Sequence, residues 1–213
     1  MSFNGILVAN RGEIAIRITR AVQDLGIHAV AVHSEDDALS LHTQIADEKI
    51  QLEGMGAAAY LNMEGIIAAA QGSGCEAIHP GYGFLSEQEA FANLCADAGI
   101  KFIGPSAAHL SLFGDKARAR AAAIAAGVPV MPGLDRAVTL SEAQEFFAQH
   151  PDGIMIKALA GGGGRGTRAV TDSEQLEALF HRCQSEAEAA FGIADVYVEA
   201  FMAKARHVEV QII

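Results

Sequence analysis

With 213 residues, 51% of them hydrophobic, the chain exceeds one average domain and has enough apolar material for a sizeable core. Fifteen basic against 26 acidic residues leave a formal net charge of -11, and no cluster of lysine or arginine forms the electrostatic footprint that nucleic acid requires. Any anion must therefore be held by local groups.

Short apolar runs alternate with helical periods from the start. "GILVA" (residues 5–9) predicts a buried strand, residues 13–25 a helix stopped by Gly26, and "HAVAVH" (His28–His33) a second strand. "KIQL" and "EAIHP" are weaker strand candidates on either side of an alanine-rich helix over residues 63–70. Ser86 and Glu89 have capping-box spacing ahead of "AFANLCADAG", and "KFIG" follows as a further strand. Strands separated by helix-length gaps predict an α/β unit with a parallel sheet covered on both faces.

After Gly104 the pattern changes. Residues 106–126 predict a long alanine-rich helical stretch containing Lys116 and closed by Gly127, followed by the proline-marked connection "VPVMPG". A second unit then reads as a helix over residues 141–149, the strand "GIMIKAL", a glycine loop, the strand "TRAV" and a helix over Ser173–Phe191. Leu176, Leu179, Phe180, Cys183 and Ala187 share one face of that last helix. "VYVEAF" is a further strand. In "HVEVQII" apolar and polar residues alternate as in a half-buried strand, yet it stops without a turn or partner, which predicts that the chain is a fragment.

The cysteines, Cys75, Cys95 and Cys183, are widely spaced, without CxxC or Cys/His pairs at metal spacing, and read as buried reduced thiols. The first apolar run is too short for a signal peptide and nothing reaches transmembrane length, so the expected location is the cytoplasm.

Several stretches carry chemistry. "VANRGEIAIR" has only Gly12 where a dinucleotide fingerprint needs three glycines, which argues against a nicotinamide cofactor. "HPGYGFLSE" sits at the carboxyl end of a predicted strand, where α/β proteins place ligands, although a rigid turn explains it equally well. His79 within it reads as structural rather than as a catalytic base. "KALAGGGGRGTRAV" joins two strands and lacks the Gly-Lys-Ser/Thr of a Walker loop. Without Cβ atoms, its successive N–H groups can close around phosphate oxygens, and the basic flanks Lys157, Arg165 and Arg168 favour phosphate over a plain flexible hairpin. Lys116, two residues after a glycine, is a solvated lysine by default and a second phosphate cation if paired with Lys157. Glu199 in "YVEAF" is either a solvated edge residue or part of a cleft holding base and ribose, and His207 carries the same ambiguity.

Together, "ILVANRGEIAIRI", "AVHSEDD", "ADE", "YLN", "AIHPGYGFLSE", "FIGPS", "GDK", "AGVPVMPG", "IKALAGGGGRGTR" and "YVEAF…RHVEVQI" resemble, in order and spacing, the biotin carboxylase family of the ATP-grasp superfamily. The resemblance implies a Rossmann-like pre-ATP-grasp domain over residues 1–104, a linking helical segment over 105–130, and a small α+β ATP-grasp lid over 131–202. Residues 203–213 would then be the first strand of a truncated C-terminal domain. It also implies the reaction: ATP activates bicarbonate as carboxyphosphate, and the carboxyl group passes to biotin on a carrier protein, with a carboxyltransferase and homodimerisation as further associations. Under it, Lys116 and Lys157 contact nucleotide phosphates. Gly162, Gly163, Gly164, Arg165 and Gly166 cap them, and Glu199 and His207 lie near the adenosine. The Mg2+ ligands and the catalytic acid/base would lie beyond residue 213, so the chain alone would not turn over. It departs from the family pattern at Thr167, usually methionine, and Ala200, usually lysine. The alternatives are another ATP-grasp ligase of the carbamoyl-phosphate synthetase kind, or a non-enzymatic nucleotide-binding module.

Overall fold

Five short strands, each followed by a turn and a helix, build the first half of the molecule. The computed structural model describes residues 3–160 and 166–210, with positions 116 and 117 as helical backbone only, and divides into two compact units, Met1–Asp115 and Lys116–Ile213.

In the first unit, strands β1 (Gly5–Val8), β2 (His28–His33), β3 (Glu48–Gln51), β4 (Ala77–His79) and β5 (Lys101–Phe102) form one parallel sheet in the order β3-β2-β1-β4-β5. Helices α1 (Gly12–Asp24), α2 (Leu41–Ile45), α3 (Gly56–Ala59), α4 (Met63–Gly72), α5 (Glu89–Asp97) and α6 (Ala107–Gly114) lie between and after the strands. Because successive strand residues face opposite sides, Leu7 enters one core layer with Val30, Ile66, Ile78 and Phe91, while Ile6 and Val8 enter the other with Ile18 and Val22 of α1. The chain reverses its direction of sheet growth between β1 and β4, which is where α/β sheets open a crevice.

One local expectation is corrected and one is refined. The Ser86–Glu89 capping box does not form: Ser86 donates its backbone N–H to Gly83 and Gln88 donates to Leu85, so the turn runs on and α5 starts with Gln88 at its N-cap. The helical stretch over residues 106–126 consists of two helices, α6 and α7 (Lys116–Ala125), separated at Asp115, whose backbone is extended at φ -101° and ψ 110°. Gly114 and Asp115 are poor helix formers, and their succession suffices to end a helix whose described flanks bury nothing.

The second unit holds a four-stranded antiparallel sheet, order β6-β9-β7-β8, from β6 (Gly133–Leu134), β7 (Ile154–Ala158), β8 (Thr167–Val170) and β9 (Val196–Ala200). Helices α8 (Leu140–Ala148) and α9 (Ser173–Phe191) cover one face of it. The one-face spacing in α9 is realised as buried Leu176, Phe180, Cys183 and Ala187. A Thr139–Glu142 capping box, unread in the sequence, starts α8. The half-buried strand expected in "HVEVQII" is absent from the described residues: 201–210 contain no strand, and Val208 and Val210 are 77% and 76% exposed. Alternation alone does not make a strand when no neighbouring backbone pairs with it. No helix among the described residues is long and apolar enough to cross a membrane.

Candidate functional site

The sheet of the second unit has one buried and one open face, and the alternation decides which residues reach the open one. Ile154, Ile156 and Ala158 of β7 and Val196 and Val198 of β9 point into the core against α8 and α9. Their neighbours Lys157, Tyr197 and Glu199 therefore stand on the other face. The antiparallel register sets Lys157 opposite Tyr197 and Met155 opposite Glu199, so Lys157 and Glu199 are diagonal partners within reach of a long side chain. The Lys157 ammonium donates to the Glu199 carboxylate in a partly buried ion pair. On the far side of β9, a Cβ at Gly133 would lie 3.1 Å from that of Glu199, so glycine suits the close approach of β6.

Beside this pair lies a cavity of about 320 Å³, lined by Val130, Met131, Leu159 and Tyr197 with Arg120, Asp135 and Glu199. Burial, with the carboxylates of Glu199 and Asp135 nearby, pushes the Tyr197 phenol up to about 12, so it stays a neutral hydroxyl at physiological pH. Arg120 Nε lies 2.6 Å from Asp135 Oδ2, and its Nη2 donates to the Met131 carbonyl. An apolar slot with the carboxylates of Glu199 and Asp135 and the guanidinium of Arg120 on its rim suits a flat, partly apolar molecule that carries hydrogen-bond donors.

Of the residues singled out in the sequence, the structure brings Lys157 and Glu199 together. Lys116 opens α7 in the same unit. Gly166 is buried at φ +64° and its carbonyl accepts from Ala158 N–H at 2.9 Å, closing the β7–β8 hairpin. Gly162, Gly163, Gly164 and Arg165 lie outside the described residues. Arg168, read as a flank of the phosphate loop, instead donates to Glu186 of α9 at 2.6 Å. His207 is exposed, 3.7 Å from Glu209, and does not line the cavity. Arg120, Asp135 and Tyr197 were missed. Tyr197 was legible as the same-face neighbour of Glu199 two residues on, whereas the partners of Arg120 lie 11 and 15 positions away with no local signal.

In the first unit, the turns after β1 and β4 are clasped together. Buried Asn10 donates to the carbonyls of Pro80 at 2.7 Å and Tyr82 at 2.9 Å, while its own oxygen accepts from Arg11 N–H. His79 Nδ1 accepts from Gly81 N–H at 3.1 Å, and burial lowers its basicity. Arg11 binds Asp37 with two donors, and Asp37 also accepts from Tyr60 at 2.8 Å and Ser40 at 2.9 Å. The Arg11 and Tyr60 bonds hold the Asp37 carboxyl well below the usual carboxylate range against its desolvation. Gly81 sits at φ +68° with room for no Cβ, since one would lie 2.7 Å from Asn10 Nδ2. Gly81→Ala is therefore expected to break the clasp and lower the stability of the first unit by about 2 kcal/mol, measured by urea unfolding.

Comparison with known proteins adds to this geometry. Residues 2–110 match the model of the biotin carboxylase N-terminal domain, and residues 115–213 match that of the carbamoyl-phosphate synthase L chain, ATP binding domain. Over 211 residues the chain is 51% identical to a pyruvate carboxylase of Staphylococcus aureus, covering 98% of this chain and 18% of that protein. It is 49% identical over 215 residues to a biotin carboxylase of Nostoc sp., covering 100% of this chain and 48% of that protein. The chain thus spans less than half the length of these curated relatives. Among solved structures, the Campylobacter jejuni biotin carboxylase in a β-γ-ATP complex superposes with a TM-score of 0.88 at 41% identity, covering 94% of this chain and 46% of that one. The biotin carboxylase domain dimer of Hydrogenobacter thermophilus 2-oxoglutarate carboxylase, with MgADP, ADP and bicarbonate, gives 0.87 at 42% identity, covering 95% and 45%.

Proposed function

The chain belongs to the biotin carboxylase family, and from that premise we propose that it is the amino-terminal part of an ATP-dependent biotin carboxylase. In this reading the whole protein uses ATP to activate bicarbonate as carboxyphosphate, releasing ADP, and passes the carboxyl group to a biotin ureido nitrogen on a carrier protein. The work is cytoplasmic, with a carboxyltransferase downstream and two copies of the full-length chain in a homodimer. Residues 1–104 are the pre-ATP-grasp domain, 105–130 the link, 131–202 the lid, and 203–213 the start of the C-terminal domain.

The observation that carries the reading is the Lys157–Glu199 pair beside the cavity. A triphosphate is a stronger competitor for an ammonium than one carboxylate, because several anionic oxygens share the cation. When Lys157 turns to phosphate, Glu199 is left as an acceptor for the amino and hydroxyl donors of an adenosine lying along the slot. Lys116 adds a second cation, Gly162, Gly163, Gly164, Arg165 and Gly166 cap the phosphates, and His207 joins the adenosine side. The first unit supports biotin carboxylase over a carbamoyl-phosphate synthetase-like ligase, because "HPGYGFLSE" and the matched N-terminal domain belong to the former.

Mg2+ does not fit the residues present: among the described residues no three His, Cys, Asp or Glu side chains converge, and no step is derived through the ion. The 213-residue chain is accordingly expected to bind ATP weakly and to show no biotin- and bicarbonate-dependent ATP hydrolysis, measured by phosphate release. Robust turnover by these residues would overturn the assignment of the catalytic groups to the rest of the protein.

A further inference from the structure

Helix α7 is unusual for a surface helix. Among its described positions 118–125 no residue is buried, so the apolar stripe that normally fixes such a helix does little here. Arg120 supplies one polar attachment. Its side chain is only 17% exposed, its Nε lies 2.6 Å from Asp135 Oδ2, and its Nη2 donates to the Met131 carbonyl. Asp135 directly follows β6 and Met131 precedes it by two residues, so one guanidinium straps the helix to both ends of an edge strand. The same strand pairs Gly133 with Glu199, whose carboxylate holds Lys157.

A planar guanidinium suits this task, since one nitrogen donates to the Met131 carbonyl while the charge lies against the Asp135 carboxylate as an ion pair, Nε itself having no aligned hydrogen bond. Keeping such a cation largely buried is costly unless both partners are met. An apolar side chain would hold the helix more loosely in rotation. Position 116 lies four residues before 120, on the same face of α7 and about 6 Å along its axis. Whatever fixes Arg120 therefore fixes where Lys116 starts from.

Building on the nucleotide reading of this cavity, we propose that Arg120 is a positioning residue: held by Asp135 and Met131, it orients α7 so that Lys116 serves the triphosphate. Arg120 acts through Lys116, and its Nε and Nη2 remain committed to the protein.

Calorimetric titration of the 213-residue chain with ATP and, separately, with adenosine tests this. Arg120→Met is expected to weaken ATP binding about tenfold, roughly 1.4 kcal/mol, and to leave adenosine affinity unchanged. Lys116→Ala is expected to have the same split effect, and the double variant to be no weaker than either single one, since both remove one function. Arg120→Lys keeps the charge opposite Asp135 without the planar guanidinium and is expected to lose less. Amide exchange over residues 118–125 should quicken in Arg120→Met while β7 and β9 stay protected. Unchanged ATP affinity in Arg120→Met overturns the proposal, as do equal losses for ATP and adenosine or additive losses with Lys116→Ala. A wild-type chain that binds neither ligand overturns the nucleotide reading itself and this inference with it. Wild-type binding that Lys157→Met abolishes but Arg120→Met spares sinks the positioning role alone.

Discussion

Lys157→Met is expected to weaken ATP binding by the chain roughly a hundredfold, the loss of a charge-assisted contact worth about 2–3 kcal/mol. The methionine keeps the length of the side chain and its packing on the open face while removing the ammonium. It also leaves Glu199, 20% exposed, unpaired and facing incoming phosphates. Both changes act in the same direction. Glu199→Gln is expected to do the opposite for simple anions: with its partner neutral, Lys157 binds inorganic triphosphate more tightly, while the preference for ATP over inorganic triphosphate falls. Fold stability should move by about 1 kcal/mol or less in either variant, because the pair is partly exposed and solvent screens it. Competition calorimetry with ATP and inorganic triphosphate separates these effects, and unchanged ATP affinity in Lys157→Met would remove the main support for the nucleotide reading.

Asp37→Ala should give the second large effect, on the first unit. The substitution strips the hydroxyl of fully buried Tyr60 and that of Ser40 of their acceptor, and frees Arg11, whose side chain is 47% exposed. The exposed arginine contributes little, whereas an unsatisfied buried hydroxyl costs about 1–3 kcal/mol, so a loss of about 3 kcal/mol is expected. The pH dependence follows from the direction of the shift. Asp37 titrates well below an unfolded aspartate, so its contribution is complete above about pH 4 and is lost as pH falls through the folded pKa. Buried His42 is depressed by desolvation, so the unfolded chain takes up its proton first, and this second contribution declines as pH falls below about 6.5. Asp37→Ala should therefore flatten the acid limb of the urea midpoint below pH 4 and leave the histidine limb in place. An unchanged acid limb would show that Asp37 is not held as the geometry implies.

The limits of reading the chain by itself are visible in particular residues. β2 and α9 were legible to the residue, "HAVAVH" as a short apolar run that the sheet buries on both faces and α9 through the 3.6-residue period of the Leu176–Phe180–Cys183–Ala187 stripe. The strand β6 was not, since two residues after a proline carry no period and exist only because β9 pairs with them. The Ser86 box failed, and the break at Asp115 inside the helical stretch over residues 106–126 went unread, for a related reason: local signals compete with turns and breaks whose outcome depends on the surrounding chain. In the site, the residue types of Lys157 and the glycine run suggest phosphate, and Glu199 a cleft or an exposed edge. That Lys157 is held by Glu199, that Arg168 is committed to Glu186, and that Arg120 meets Asp135 and Met131 are facts of register and proximity.

Sequence alone therefore determined the class of each unit, the parallel sheet of the first and the family to which the chain belongs, because these rest on periodicity and on motifs read along the chain. Tertiary structure alone decided which charges meet. Opposite charges distant in sequence become partners only when strand pairing sets two residues diagonally across a sheet, or when a helix lies within one arginine's length of an edge strand. No one-dimensional pattern encodes that distance.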